Sequence, residues 1–153
     1  MPHFSTIRRV AITADQAFAI AADVGSYKDF LPLLERSTIR GERTKTSNGE
    51  SFDADLAVGY TKLGVRESFK SHVVCDTRNR TVTATSSDGP MKSLKAIWKI
   101  VPQSDGKTEV SISVDYALKS SMLQLLARGL VDFAAQKVMQ AFEERGRQLY
   151  PTA

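Results

Sequence analysis

A thiol, two imidazoles and a set of carboxylates are the side chains of this 153-residue sequence equipped for bond chemistry, and their spacing decides against most of it. The one cysteine, Cys75, forms no intramolecular disulfide, and His3 and His72 stand too far apart for the close ligand spacing of a structural zinc site. A nucleophile also needs a base in reach. Cys75 falls at a strand end and His72 on the outer face of that strand, so Cys75 reads as a small buried hydrophobe and His72 as a solvated residue. Gly25 and Gly129 are lone glycines, at a helix boundary and inside a helix, and neither makes a phosphate-cradling loop. We assign no catalytic residue and no metal ligand.

Glu67 is the titratable group that stands out. The alternation Val65, Glu67, Phe69, Ser71, Val73 against Arg66, Ser68, Lys70, His72 places it on the inward face of a strand. An unpaired carboxylate there is costly to desolvate. Two readings stay open: a polar anchor or proton partner for a carbonyl or hydroxyl held inside, or a carboxylate paired with an inward basic or hydroxyl group or sited at the sheet rim. In an enzyme it would be the general acid or base.

The elements that position Glu67 follow from periodicity. A strand over His3–Val10 precedes a capping box, Thr13 with Gln16, that starts a helix from about Ala14 to Asp23. Ser26 with Asp29 starts a second short helix that Pro32 ends. From Ser37 the pattern has period two. Turns at Asn48-Gly49, Asn79, Asp88-Gly89-Pro90 and Ser104-Asp105-Gly106 separate strands with Phe52, Ala54, Leu56, Val58 and Tyr60, then Val82 and Ala84, then Leu94, Ala96, Trp98 and Ile100, then Val110 through Leu118 on inward faces. Ala54, Ala84 and Ala96 either fit a helix closely or leave open volume.

The chain ends in one long helix, Ser121 to about Leu149, capped by Ser121 with Gln124. Its apolar stripe runs through Met122, Leu126, Leu130, Phe133, Ala134, Val138, Ala141 and Phe142. At 1.5 Å per residue it is roughly 43 Å long, the reach of a small domain, so it lies across a sheet curved to receive it. Such an arrangement commonly leaves a cavity. Gly129 permits close approach of ligand or sheet, or a bend; the two stay open. The order strand, two helices, six strands, helix reads as one α+β domain over residues 1–153, with neighbouring strands antiparallel.

A net charge of +4, from 21 Lys and Arg against 17 Asp and Glu, leans mildly toward anionic partners: a membrane surface, ribosomal RNA, or none. No block of five like charges appears, and DNA is not expected. No run approaches the roughly 18 apolar residues of a bilayer span, Gln124, Arg128 and Lys137 interrupting the last helix. With a strand starting in the first residues and no signal core before it, the chain reads as cytoplasmic, with peripheral contact at the inner membrane left open.

Several motifs occur together in order: Asp23-Val24, Tyr27-Lys28-Asp29-Phe30-Leu31-Pro32, Val58-Gly59-Tyr60, Arg66-Glu67-Ser68-Phe69, Asp88-Gly89-Pro90, Trp98, Lys119-Ser120-Ser121 and Ala141-Phe142-Glu143. Over nearly the whole chain they resemble the coenzyme Q-binding COQ10 family of the START-like superfamily, which also holds the ribosome-association toxin RatA and lies near polyketide cyclase-like proteins. Leu33 and Leu34 stand where many relatives have tryptophan or cysteine, and Met91 where an aromatic is common. The resemblance implies a helix-grip fold, a curved seven-stranded antiparallel sheet wrapped around the C-terminal helix.

It also implies an apolar pocket, which at the usual size for small ligands would hold roughly 300 to 1,000 Å³. The expected walls are Phe52, Leu56, Phe69, Trp98, Tyr116, Leu126, Leu130 and Phe133, with Glu67 as polar anchor and Tyr27, Phe30, Leu31 and Pro32 at the mouth. The implied ligand is ubiquinone or another polyprenyl lipid, bound as cargo and not as a cofactor, by a non-enzymatic carrier or chaperone serving respiration or quinone biosynthesis. Lys95, Lys99, Arg66 and Lys70 would favour transient contact with anionic membrane. The RatA branch implies instead binding to the large ribosomal subunit and inhibition of subunit association. A polyketide cyclase or aromatase is the third expectation, and beyond Glu67 the inward faces offer it only Tyr60 and Tyr116.

Overall fold

The computed structural model describes residues 3–60 and 64–151, without the side chains of 132, 135 and 136. β1 (His3–Val10) leads to α1 (Ala14–Ala22) and a short 3-10 helix (Val24–Asp29). Then come β2 (Leu34–Lys45), β3 (Gly49–Tyr60), β4 (Val65–Asp76), β5 (Thr81–Ser86), β6 (Met91–Pro102), β7 (Thr108–Leu118) and α2 (Ser121–Leu149). The fold is α+β, and the helix-grip expectation holds.

All seven strands form one antiparallel sheet in the order β1-β7-β6-β5-β4-β3-β2. Short hairpins explain most of that order, since each turn signal returns the chain beside the strand it has left. β1 closes against β7 because the helices carry the chain across the sheet before β2 begins. Register shifts between Leu34 and Arg36, Arg40 and Thr44, and Met91 and Ser93 bend the strands, as an extra residue on one strand does. The sheet so curved receives α2 on its concave face.

Local chemistry sets the helix ends. The Thr13 hydroxyl accepts from the Gln16 N–H at 3.1 Å while the Gln16 amide oxygen accepts from the Thr13 N–H at 3.0 Å, the expected capping box. The second short helix is a 3-10 segment starting at Val24, two residues before the expected start. The cap of α2 also needs correction. Ser120, not Ser121, accepts from the Leu123 N–H, and Gln124 accepts from the Leu118 N–H at 2.9 Å, stitching the helix start to the end of β7.

The core is unevenly filled along α2. Over the C-terminal half of the helix Val138, Met139 and Phe142 are buried, with the Phe142 ring 5.1 Å from Trp98. Ala17, Ile20 and Ala21 of α1 close this region from the side. Over the N-terminal half the expected stripe holds in part: Leu126, Leu130 and Ala134 face inward, while Met122 is 73% exposed and Phe133 40%. The inward face is wider than that stripe, because the adjacent row through Leu123, Ala127 and Val131 turns inward beside it.

Candidate functional site

Where α2 stands off the sheet, a cavity of about 220 Å³ opens between its N-terminal half and the ends of β3, β4, β6 and β7. Its roof is Leu123, Leu126, Ala127, Leu130, Val131 and Ala134, a run of three- and four-residue steps that makes one helix face. On the sheet side, cross-strand partners project together: Val58 opposite Glu67, and Leu94 opposite Tyr116. Val65, Val114 and Leu118 extend that floor.

The rim is built from two irregular segments. Leu33 adopts φ 68°, a left-handed conformation costly for a bulky residue, and its carbonyl accepts from the Gly59 N–H at 2.9 Å. The Glu35 carboxylate lies over Gly59 so closely that a Cβ there would sit 2.5 Å from it. Arg66 holds that carboxylate in a two-pronged contact, Nε at 3.1 Å and Nη2 at 3.3 Å. On the opposite rim Gly89, at φ +59°, makes the turn that delivers Pro90 and Met91, with the Asp88 carboxylate accepting from the Lys70 N–H. The Lys119 N–H donates to the Pro90 carbonyl at 3.0 Å, so this turn adjoins the start of α2.

Glu67 is the one ionisable acid among the described lining residues. It is half-buried, on the inward face that strand alternation assigned to it, and among the described residues it makes no hydrogen bond or ion pair. The paired-carboxylate reading therefore finds no partner there. Arg66 and Lys70, its sequence neighbours, point to the outer face of the sheet.

Of the residues expected at the site, the structure brings Glu67, Tyr116, Leu126 and Leu130 to the cavity and leaves the others outside its lining. Phe52 and Trp98 are buried in the filled half, because rings that large complete a close-packed core and do not bound a void. Phe69 is buried and Leu56 half-buried against the core, neither on the lining. Phe133 is 40% exposed on the flank of α2, its ring 6.1 Å from Tyr60.

None of the four residues of the expected mouth lines the cavity; their segment runs from the filled half to Leu33 on the cavity rim. The buried Tyr27 hydroxyl donates to the Ala21 carbonyl, and burial drives its pKa far above the ordinary phenol range, a hydrogen bond with Trp98 opposing. Phe30 packs edge-on to Tyr27 at 6.0 Å beneath the Arg145 guanidinium, and Leu31 packs on the same core with Pro32 half-buried beside it. Tyr27, Phe30 and Leu31 pack into the filled half. A smaller hollow of about 150 Å³ there is bounded by Phe30, Asp23, Arg145 and Tyr150.

One further expectation is corrected, and two alternatives left open by the sequence are narrowed. The cavity is smaller than the 300 Å³ expected. None of Ala54, Ala84 and Ala96 lines it; Ala54 and Ala84 pack in the filled half. Gly129 faces open space, so no close approach requires it. The lining residues that were missed include Val58, Leu94, Val114 and Leu118, which alternation places inward, and Leu33, whose positive φ leaves no mark in the sequence.

Elsewhere the chemistry is quiet. Cys75 is buried, and its thiol is pushed up to about 11 by desolvation and, less strongly, by Glu50. His3 pairs with Asp115 at 2.6 Å and His72 with Asp53 at 2.8 Å, both on the surface. Among the described residues no three His, Cys, Asp or Glu side chains gather to hold a metal, and no helix is long and apolar enough to cross a membrane. Lys70, Lys95 and Lys99 are exposed on the outer face of the sheet, not beside the cavity.

A curved antiparallel sheet gripping a long helix over an apolar cavity defines a START-like helix-grip protein. The chain belongs to the polyketide cyclase / dehydrase and lipid transport family, whose sequence profile matches residues 10–143. It is 30% identical over 131 residues to the mitochondrial coenzyme Q-binding protein coq10 of Schizosaccharomyces pombe, covering 85% of this chain and 77% of that one. The ribosome association toxin RatA of Escherichia coli K12 is 27% identical over 150 residues, covering 98% of this chain and 90% of that one. Among solved structures, the Zhui aromatase/cyclase from Streptomyces superposes with a TM-score of 0.82 at 16% identity, covering 98% of this chain and 96% of that one, which shows the shared fold.

Proposed function

We propose that this protein binds the ring of a polyprenyl quinone in the cavity beneath α2 and serves as its carrier or chaperone, in support of respiration or quinone biosynthesis. The observation that carries the reading is the cavity itself, with an apolar roof and floor and a single carboxylate among its described lining residues. The relationship to coq10 of fission yeast supports the choice of ligand. Size supports it too. A buried void of about 150 Å³ suffices for benzene, so 220 Å³ takes one substituted ring. A long isoprenoid tail does not fit inside. It leaves past Pro90 and Met91 and runs over Met122 and Leu125, where each covered CH₂ contributes about 0.8 kcal/mol.

Native mass spectrometry with solvent extraction, on protein purified gently from a quinone-producing host, tests the reading. One quinone per chain is expected, and its loss in Leu126→Asp. Folded protein that carries no quinone and takes none from quinone-loaded vesicles overturns it.

The relationship to RatA, which spans more of this chain than the relationship to coq10, favours a second reading: association with the large ribosomal subunit. Lys70, Lys95 and Lys99 on the outer sheet face would supply phosphate contacts, with an affinity falling steeply in salt. Co-sedimentation with large subunits in moderate salt, lost when the three lysines become glutamate, would promote it. The fold shared with an aromatase/cyclase leaves a catalytic reading that rests on Glu67 alone; turnover of a supplied polyketide, lost in Glu67→Gln, would establish it.

A further inference from the structure

We infer that Glu67 makes the cavity selective for a ring that donates a hydrogen bond, so that the reduced quinol is held in preference to the quinone. The inference rests on the quinone reading above and deepens it. A ligand seated under α2 displaces water from the inward side of Glu67, which faces Val58 across the ladder, follows Val65 by two residues, and otherwise shares the described lining with aliphatic side chains and Tyr116, with none of which it forms a hydrogen bond. Nothing among the described residues replaces that water. The adjacent cation, Arg66, lies on the other face of the sheet with both prongs on Glu35, and Lys70 also points outward. The ligand must therefore satisfy the carboxylate.

An ionised carboxylate accepts hydrogen bonds and donates none. The two carbonyl oxygens of a quinone are acceptors as well, so a quinone ring sets acceptor against acceptor and leaves Glu67 desolvated and unpaired. Each quinol oxygen carries a proton, and its O–H donates to Glu67 in a charge-assisted hydrogen bond. A hydrogen bond to a charged group is worth enough for a preference of about tenfold or more. Binding and reduction are linked: addition of two electrons and two protons to the bound quinone becomes easier by the ratio of the two affinities. A tenfold preference raises the two-electron midpoint potential of the bound ring by about 30 mV.

The test uses decylubiquinone and anaerobically prepared decylubiquinol with the full-length protein, reading dissociation constants by equilibrium dialysis and the midpoint potential by redox titration. Wild type is expected to bind the quinol about tenfold tighter. In Glu67→Gln, whose amide both donates and accepts, the ratio falls toward one and the potential returns to that of the free couple. Glu67→Asp, which keeps the acceptor, retains a quinol preference that a merely structural role would not preserve. Equal affinities in wild type, with no change in Glu67→Gln, would overturn the selectivity and leave the cavity reading standing. Folded wild type that binds neither form would overturn both.

Discussion

The two halves of α2 rest on the same sheet and do different work. Over its C-terminal half Phe142, fully buried, meets Trp98, while Tyr27 and Phe30 seal the side, so large rings fill the space between helix and sheet. Over its N-terminal half mostly medium-sized aliphatics, with Tyr116 and Glu67 on the floor, face each other across about 220 Å³, and Met122 and Leu125 turn outward. The contrast teaches that most of the large rings here, Phe52, Trp98 and Phe142 among them, mark where the core is finished, while Tyr116 is the aromatic residue of the described cavity lining. The open half carries Glu67, the one carboxylate among the described lining residues, a strained Leu33 and the turn at Gly89, features that a purely structural core does not need.

The sharpest break of this comparison is a matched pair of truncations. Phe142→Ala should cost about 3–5 kcal/mol, because the filled half cannot collapse around the lost ring. Leu130→Ala should cost about 1–2 kcal/mol, since the side chain already borders empty volume. Urea denaturation of both variants checks the difference, and equal losses would mean that the halves are packed alike.

Next in size is Gly89→Ala. A Cβ there stands 2.7 Å from the Ser68 carbonyl at φ +59°, so the turn must shift at a cost of about 1–2 kcal/mol. Its melting temperature should fall, and because the turn carries Pro90 and Met91, ligand affinity should fall with it.

Gly129→Ala runs the other way. Its Cβ meets nothing, and alanine is the better helix former by up to about 1 kcal/mol, so α2 should be stabilised by that amount. A raised denaturation midpoint with unchanged ligand affinity is expected; a loss of affinity would bring Gly129 into the site.

The smallest effect is at acid pH, in the β4–β5 turn away from both halves. Hydrogen bonds from the backbone and then the side chain of Asn79 hold Asp76 below the ordinary carboxylate range. A depressed folded pKa contributes stability that is present above the unfolded value and lost as pH falls through the folded one. Asp76→Asn should therefore flatten the acid limb of the stability profile while leaving ligand affinity unchanged.

Much of the frame was legible in the sequence. The turn residues at Asn48-Gly49, Asp88-Gly89 and Asp105-Gly106 separate strands whose period-two alternation is plain, and α2 runs over the expected Ser121–Leu149. Alternation also placed Glu67 inward. What alternation reports is a face, not a depth. It cannot say where along its length a helix leaves the sheet, because that depends on the summed volumes of side chains distant in sequence, such as Trp98 and Phe142. Hence alternation and helical spacing reach Tyr116, Leu126 and Leu130 but do not separate them from Phe52 and Trp98 in the filled half, nor show that the row Leu123, Ala127, Val131 also turns inward.

The central claim is that the open half binds and the filled half only holds. Quinone extracted per folded chain, compared between wild type, Leu130→Asp and Phe142→Leu purified alike, tests it most directly. Stoichiometric quinone is expected in wild type and in Phe142→Leu, with none in Leu130→Asp. Quinone retained by folded Leu130→Asp, or lost in folded Phe142→Leu, would contradict the account.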